Sequence, residues 1–593
     1  MVHHLPFLDL RGYRPAWLTS DLTAALAVTF LSIPQGVAYA LIAGLPPAVG
    51  LYAATVPALI GGLMRSSRYV VSGPTNALSL LVGGAVGTLS AQLGASPVEV
   101  AVSLALAVGL FQLSAGVLRL GALVDYISAP VVLGYISGAG VLIAAGQLHH
   151  LTGTEGGHGP LWSRLAVWVQ SLGHTDPLAV SLGLGTIAIL LILRRINPHI
   201  PGSILVMVSG IAASWALDLR GRGLQVVADL SPIPASLPPL TLPRLDHLEL
   251  IAPVAFAATV LSLVESTAVA RALAARSGER LDSSMEFVGQ GLANLSAAFV
   301  GGYPVSGSPS RSSLNLSAGS MSRLSGALSG VFVLALVALA GPVVDLTPVA
   351  SLAGLLMLVA WDLIDRPRIA QVLRARWGDR LAFLATLLGT WALPLDRAIY
   401  LGVVISLVMF LRRARLLIVR DLVVDETGRM REVLQRSGPR RRLCSAIRVL
   451  HLEGAAFFGA AGELRDALDA ATEDRNVRVL LVRTKRLQGM DLTAAQVFGE
   501  VAQSLRDQGR ALVMVGMRRE TMRILRTSGV DKVVGEENLF PTRPAWFAAL
   551  ELALKRALEL AGDHDDGGPC PYSAYVEDRI RRREERRKAV NAP

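Results

Sequence analysis

Cysteine is almost missing from this chain of 593 residues: Cys444 and Cys570 are the only two. Neither belongs to a C-x-x-C pair and both follow the last apolar run, so their spacing supplies neither a disulfide framework nor a metal site. Charge is equally scarce. Charged residues make up 17% of the chain and hydrophobic ones 52%, with a mean hydropathy of +0.49, whereas a soluble globular protein is about one quarter charged. Most of the chain is therefore excluded from the water-soluble class and read as dissolved in lipid. Residues 1–20 contain Arg11, Arg14 and Pro15 but lack a compact apolar stretch. A cleavable signal is not expected there, and the first apolar run should remain as a membrane helix. Neither a Ser/His/Asp constellation nor a Walker-type glycine loop is found, which argues against an enzyme and against any cofactor. His149 and His150 stand at the edge of an apolar run and read as interfacial, not as metal ligands.

Long apolar runs are what the chain has in quantity. A helix crosses the hydrocarbon core with about 20 mostly apolar residues. Such runs start near residues 22, 49, 73, 98, 126, 178 and 203, and again near 250, 286, 307, 325, 349, 379 and 397. The expectation is about fourteen spans, seven on each side of a centre near residue 235. The net charge of +11 fits this reading without a nucleic-acid partner, because arginines gather at alternate run ends. Arg65 and Arg68, Arg119, Arg194 and Arg195, Arg323, and Arg412, Arg413 and Arg415 are examples, while boundaries 90–97 and 341–348 carry no Lys or Arg. By the positive-inside rule both ends are cytoplasmic, in a cell membrane whose lipids are the surrounding partner. Arg164, Arg220, Arg222 and Arg244 lie in the two longer external loops, so the rule holds on balance.

After residue 417 the composition turns polar. Short β-branched runs at 448–452, 477–482 and 511–515 read as buried strands, with helical patterns at 462–471, 494–508 and 520–528 between them. This order implies a small α/β domain with a largely parallel sheet. The expected organisation is a cytoplasmic segment 1–20 and a membrane domain 21–417, with repeats at about 21–220 and 249–417. A linker 418–443, the α/β domain 444–560 and a charged tail 561–593 follow.

One motif occurs twice. Residues 69–80 read YVVSGPTNALSL and residues 303–314 read YPVSGSPSRSSL, with an odd number of apparent spans between them. Two copies in opposite orientations mark an inverted-repeat transporter, whose interrupted helices point their N-termini at the substrate near the bilayer midplane. A helix start leaves unpaired N–H groups and about half a positive charge. If the helices begun at Gly73 and Gly307 face each other, the space between them is an anion site built from backbone. The glycines let the main chain approach a ligand, Pro74 and Pro309 suit first-turn positions, and Thr75, Ser308 and Ser310 add hydroxyl donors. Close helix packing by small residues is the plain alternative.

Arg311 carries a charge that is expensive in mid-membrane and normally paired or functional. It is read as positive charge behind the anion site, with an ion pair to Glu265 as the structural alternative. Glu265, in SLVESTAVAR, is read as a coupling-ion group, with oxygens available from Ser266, Thr267 and Ser306. Interhelical hydrogen bonding is the plain expectation for Asn76, Asn294 and Asn315, and Asn76 is also placed with the substrate-site residues.

Residues 32–57, SIPQGVAYALIAGLPPAVGLYAATVP, and 72–83, SGPTNALSLLVG, resemble the sulfate permease (SulP) family, as does GQGLANLSAAFVGGYPVSGSPSRSSLN at 289–315. Animal members of that family include prestin and pendrin. QGMDLTAAQVF at 488–498 is similar to a STAS domain. The resemblance spans roughly residues 15–560. It implies a multi-pass α-helical membrane protein with a seven-plus-seven inverted repeat like that of uracil permeases, followed by a small α/β STAS-like domain. It also implies core and gate subdomains, a homodimer, and a substrate site between the third and tenth helices. Gln35 and Tyr39, one helical turn apart on one face, match family positions that line the pocket. The family's S-x-S-R element matches Ser308 to Arg311. Sodium-coupled bicarbonate carriers of the family have a hydroxyl four residues past the acid, where this chain has Val269, so proton coupling is favoured here. Asp491 and Thr493 match the loop that carries a phosphorylatable residue in soluble relatives, although Ala494 replaces the usual glycine and a helix cap is the plain reading.

The resulting expectation is a secondary active transporter of inorganic anions, sulfate first, by alternating access with proton symport or anion exchange. Bicarbonate, nitrate, chloride or a C4-dicarboxylate stays open as substrate, as does an uncoupled anion channel. A membrane-anchored STAS signalling module is the reading from another class, and the buried charge of Arg311 speaks against it.

Overall fold

The computed structural model describes residues 13–157, 161–197, 202–244, 248–424, 429–434, 444–543, 548–564 and 570–590. Arg11, most of the expected N-terminal segment, and residues 425–428, 435–443 and 565–569 lie outside the described residues. The chain divides into two units, Met1–Leu407 and Val408–Pro593.

The first unit is helical. Its first half runs α1 (Leu18–Ile42), α2 (Pro47–Tyr52), α3 (Val56–Met64), a two-residue strand β1 (Ser72–Gly73), α4 (Asn76–Leu93), α5 (Pro97–Val117), α6 (Ala129–Thr152), α7 (Leu161–Ser171), α8 (Pro177–Ile196) and α9 (Gly202–Ala216). After the short α10 (Val227–Leu230), the order repeats: α11 (Leu248–Ser277), α12 (Ser283–Phe299), β2 (Ser306–Gly307), α13 (Pro309–Ser317), α14 (Leu324–Val344), α15 (Val349–Leu363), α16 (Arg366–Arg374), α17 (Trp377–Ala392) and α18 (Leu395–Ala414). Among the described residues, eight helices are long and apolar enough to cross a membrane. The nine residues of α13 rise only about 14 Å at 1.5 Å each, so α13 is a half-helix completed by the extended chain of β2.

Local chemistry sets these boundaries. Ser96 and Glu99 form a reciprocal capping box at the start of α5, with Pro97 in the first turn. α4 ends on the left-handed Gly94 and α6 on the left-handed Gly153. Helices α1–α5 pack with α11–α14, while α6, α8 and α9 pack with α15, and α17 packs on α6. The α5–α12 contact is close because glycines sit in it: a methyl group at Gly109 would meet the Leu295 backbone at 2.7 Å, and one at Gly291 the Leu113 backbone at 2.6 Å.

Buried charges tie the repeats together. Arg65, expected as one of the loop arginines, is 0% exposed. Its Nε donates to the Gly61 carbonyl at 3.0 Å, and Nη2 donates to Gln290 Oε1 at 2.6 Å and to Ser72 Oγ, with Glu286 Oε2 3.7 Å from Nη1. An arginine at a run's end is a loop charge only if nothing meets it, and Glu286 and Gln290 arrive from far along the chain. Asp21 closes another junction by accepting from Met321 N–H at 2.8 Å, Ser322 N–H at 3.1 Å and Ser322 Oγ at 2.6 Å.

In the second unit the elements are β3 (Ile418–Val424), β4 (Met430–Leu434), β5 (Ile447–Ala455), α19 (Ala461–Thr472), β6 (Val479–Gln488), α20 (Leu492–Asp507), β7 (Ala511–Met517), α21 (Arg519–Thr527), α22 (Val530–Val534), β8 (Leu539–Pro541), α23 (Ala548–Ala561) and α24 (Pro571–Val590). They form one sheet in the order β4-β3-β5-β6-β7-β8, parallel from β5 to β8 and antiparallel at β3. Alternate residues of the central strands face opposite ways. Leu450, Leu480 and Val482 pack under α19 and α20, while Val449, Val479 and Leu481 pack under α23 and α24, as a sheet covered on both faces requires.

Two expectations are corrected here. The segment expected as a linker, 418–443, carries β3 and β4 in its described part, because its polar alternation suits a sheet edge as well as a loop. The segment expected as a charged tail, 561–593, begins by packing: Tyr572, Tyr575 and Val576 are buried, and the Tyr572 hydroxyl donates to the Leu422 carbonyl at 2.8 Å. Its charge density hid three apolar residues at helical spacing.

Candidate functional site

The duplicated motif folds into a crossing. Each Y-x-V-S-G stretch is extended, and β1 pairs antiparallel with β2 so that Ser72 stands opposite Gly307 and Gly73 opposite Ser306. Ser308 N–H donates to the Val71 carbonyl at 3.0 Å, and Val71 N–H donates to Ser312 Oγ at 2.9 Å. From this crossing α4 leaves after Thr75 and α13 after Ser308. The antiparallel pairing brings two helix N-termini to one place, with their unpaired N–H groups and partial positive charge.

The two termini differ. Ser308 is the N-cap of α13, with Pro309 in the first turn, and its hydroxyl accepts from Arg311 N–H at 3.5 Å. Thr75 is the N-cap of α4 but makes no side-chain cap bond, because its hydroxyl donates to Glu265 Oε2 at 2.9 Å. Thr75 is thus not the free donor expected of it, and its diversion leaves the first turn of α4 without its usual cap. Pro74 also departs from expectation, since it precedes the N-cap and does not sit in the first turn.

Arg311 is 1% exposed. Its Nη2 donates to the Pro74 carbonyl, tying α13 to the approach of α4. Its Nε is buried without a hydrogen-bond partner. Among the described residues no carboxylate lies within the 4.0 Å ion-pair distance of this guanidinium, so the alternative of a direct bridge to Glu265 is not what the structure contains. Gly73 faces the guanidinium so closely that any side chain there would collide with it. At Gly307 a methyl group would meet Ser266 Oγ at 2.8 Å and Val70 Cγ1 at 2.9 Å. Both motif glycines are required by close approach.

A polar chain extends from this point. Ser308 and Ser310 hydroxyls are 3.3 Å apart, and Gln35 Nε2 donates to Ser310 Oγ at 3.1 Å. Tyr39, one turn further on α1, is buried beside Ala38 and Leu356. Asn76 is half-buried, and its Oδ1 accepts from Ala77 N–H at 2.7 Å. Glu265 is 7% exposed on α11, and Ser306 is its second hydroxyl neighbour. Ser266 Oγ and Thr267 Oγ1 are buried without partners, whereas Val269 belongs to an apolar cluster with Val70, Ala270 and Leu273. Asn294 and Asn315 are spent on structure: Asn294 bridges Gln112 and Val305, and Asn315 bridges Tyr69 and Ser325.

Sequence reasoning did not mark the residues that hold the crossing in place. Gln290 Nε2 donates to the Val305 carbonyl at 2.8 Å, and Ser79 and Tyr303 share a hydrogen bond of 2.7 Å. The tyrosine that opens each motif copy was the available signal for the second of these.

In the second unit, Asp491 caps α20 by accepting from Ala494 N–H at 2.9 Å, and its other oxygen accepts from Phe458 N–H at 2.7 Å. Thr493 lies exposed in the first turn and is not the cap. Cys444 and Cys570, 126 residues apart, stand with their Sγ atoms 3.6 Å from each other, a neighbourhood that sequence spacing could not reveal.

Two related helical halves whose helices α4 and α13 start together at a buried cation, followed by an α/β unit, define a multi-pass membrane transporter and not an enzyme. The sulfate permease family matches residues 18–386, and the STAS domain matches residues 442–545. The chain belongs to the sulfate permease family. Human solute carrier family 26 member 6 is 30% identical over 499 residues, which cover 79% of this chain and 65% of that protein. The sodium-independent sulfate anion transporter of Bos taurus is 28% identical over 568 residues, 89% of each chain. The structure described as the overall structure of SLC26A9 matches with a TM-score of 0.84 at 19% identity, covering 93% of each chain.

Proposed function

We propose that this protein carries sulfate and related inorganic anions across the cell membrane by alternating access. One observation carries the reading: a buried guanidinium, that of Arg311, has an unpartnered Nε and, among the described residues, no carboxylate in contact, and it stands at the start of α4, which has no side-chain cap. A permanent charge so placed is stable only if something negative visits it. The anion sits between the α4 and α13 termini, with the first-turn N–H groups of Asn76 and its neighbours, Ser310, Gln35 and Tyr39 as polar contacts. The group α1–α5 with α11–α14 moves as a core against the group of α6, α8, α9, α15 and α17, alternately exposing the crossing to each side.

Glu265 serves as the coupling group. It is buried, it holds the cap residue of α4 through Thr75, and its charge opposes that of Arg311 across the site. Protonation frees Thr75 from a charge-assisted bond, which links proton occupancy to the α4 terminus. Val269, where a hydroxyl ligand would be needed, disfavours sodium, in keeping with a relative named for sodium independence. The working unit is a homodimer with both termini cytoplasmic, and exposed Thr493 is a candidate modification site on α20.

Uptake into proteoliposomes across a panel of sulfate, bicarbonate, nitrate, chloride and C4-dicarboxylates, with and without proton or sodium gradients, tests this. Saturable, gradient-sensitive flux is expected. Voltage-following current would establish a channel, and no flux at all would establish an anchor for the α/β unit.

A further inference from the structure

The second unit gathers three soft donors that play no part in transport at the crossing. Cys444 precedes β5, His564 follows α23 and Cys570 immediately precedes α24. The two Sγ atoms and an imidazole nitrogen all lie within 4.8 Å of one another. Cys444 Sγ is 3.6 Å from Cys570 Sγ and 3.4 Å from His564 Nε2. A tetrahedral zinc with bonds of about 2.3 Å to sulfur and about 2.05 Å to nitrogen places its sulfurs about 3.8 Å apart and sulfur and nitrogen about 3.6 Å apart. The observed separations match both spans.

The surroundings suit the same ligand set. His564 Nδ1 lies 2.8 Å from the Gly562 carbonyl, which can only accept, so the proton is on Nδ1 and the Nε2 lone pair faces the sulfurs. Metal-bound histidines are oriented by an outer bond of this kind. Ile447 N–H donates to Cys444 Sγ at 3.3 Å, and Cys570 caps the N-terminus of α24, where the helix dipole favours a thiolate. Two thiolates and an imidazole select zinc over hard cations such as magnesium or calcium.

We propose that Cys444, His564 and Cys570 bind one zinc ion, with water in the fourth position. The ion clasps α24 and the end of α23 to the start of β5, reinforcing the contact that Tyr572 makes with the Leu422 carbonyl. Thiolate and imidazole are the only chemistry the site needs, and it is independent of the anion reading.

The test uses the full-length protein purified in detergent without chelator. One zinc per chain is expected by elemental analysis, and replacement with cobalt(II) is expected to give thiolate-to-cobalt charge-transfer absorption. Because these are the only two cysteines in the chain, any such band arises here. C444S and C570S should abolish it. H564A, which leaves both cysteines in place, should weaken zinc binding by more than the roughly 10–100-fold that loss of an outer partner costs. Chelation should raise hydrogen exchange in α24. Metal-free protein with reduced thiols that gives no cobalt–thiolate band would overturn the proposal. So would a Cys444–Cys570 disulfide in the purified chain, or zinc binding unaltered in H564A.

Discussion

Replacing Arg311 by alanine separates an anion-binding role from a structural one. The guanidinium is buried, with one hydrogen bond to the Pro74 carbonyl and no ion-pair partner among the described residues. Removing one member of a buried ion pair is strongly destabilising, at about 3–5 kcal/mol, but no such pair exists here. The substitution strands one carbonyl, at about 1–3 kcal/mol, and relieves the desolvation of a charge, so the folded protein should survive. Binding is another matter. Opposite unit charges about 4 Å apart interact by about 4 kcal/mol at an effective dielectric of 20. Water entering the vacated volume screens what remains, so a loss of about 2–4 kcal/mol is expected, or roughly 30- to 1,000-fold in affinity. The assay is labelled sulfate uptake into proteoliposomes, together with the sulfate-dependent rise in melting temperature of the detergent-purified protein. R311A should melt near the parent without sulfate and lose the rise. R311K keeps the charge without the planar fork and should fall between. Affinity and maximal rate within about twofold of the parent in R311A would refute the electrostatic argument. An R311A protein that cannot fold while R311K does would instead make the residue structural.

Other outcomes follow from the same geometry. E265Q keeps a partner for the Thr75 hydroxyl but cannot titrate, so uptake should stop responding to a proton gradient while anion binding persists; an unchanged gradient response would remove Glu265 from coupling. G73A places a methyl group against the Arg311 guanidinium, an overpacking of about 1–3 kcal/mol. It should depress uptake about tenfold or more, with S306A, on the opposite strand, as the milder comparison. D491A removes both the α20 cap and the acceptor for Phe458 N–H. A loss of about 0.5–2 kcal/mol should appear as faster hydrogen exchange in α20, whereas T493A should leave it unaltered.

Much of the architecture was legible from the chain alone, for reasons that belong to the solvent. A membrane-spanning segment must be long, apolar and internally hydrogen-bonded, so each expected run contains a helix. The Y-x-V-S-G copies marked both strands of the crossing, since glycine is forced at each by close approach, to the Arg311 guanidinium at Gly73 and to Ser266 and Val70 at Gly307. The central strands β5, β6 and β7 were equally plain, being buried on both faces.

Other features depended on partners distant in sequence. Thr75 read as a free hydroxyl donor until Glu265 was found opposite it, Arg65 as a loop charge until Gln290 and Glu286 closed over it, and for Arg311 the alternative of an ion pair with Glu265 stayed open until the structure showed no such contact. Periodicity reports which face of a segment is apolar, and it carries no record of which distant side chain meets a given polar atom. The sequence by itself determined that this is a membrane protein with a repeated, glycine-bearing crossing and a following α/β unit. Only the tertiary structure decided that one buried cation there is left unpaired and that two remote cysteines and a histidine share a corner. Hydrogen bonds and ion contacts are satisfied in three dimensions, between residues whose separation along the chain has no bearing on their distance.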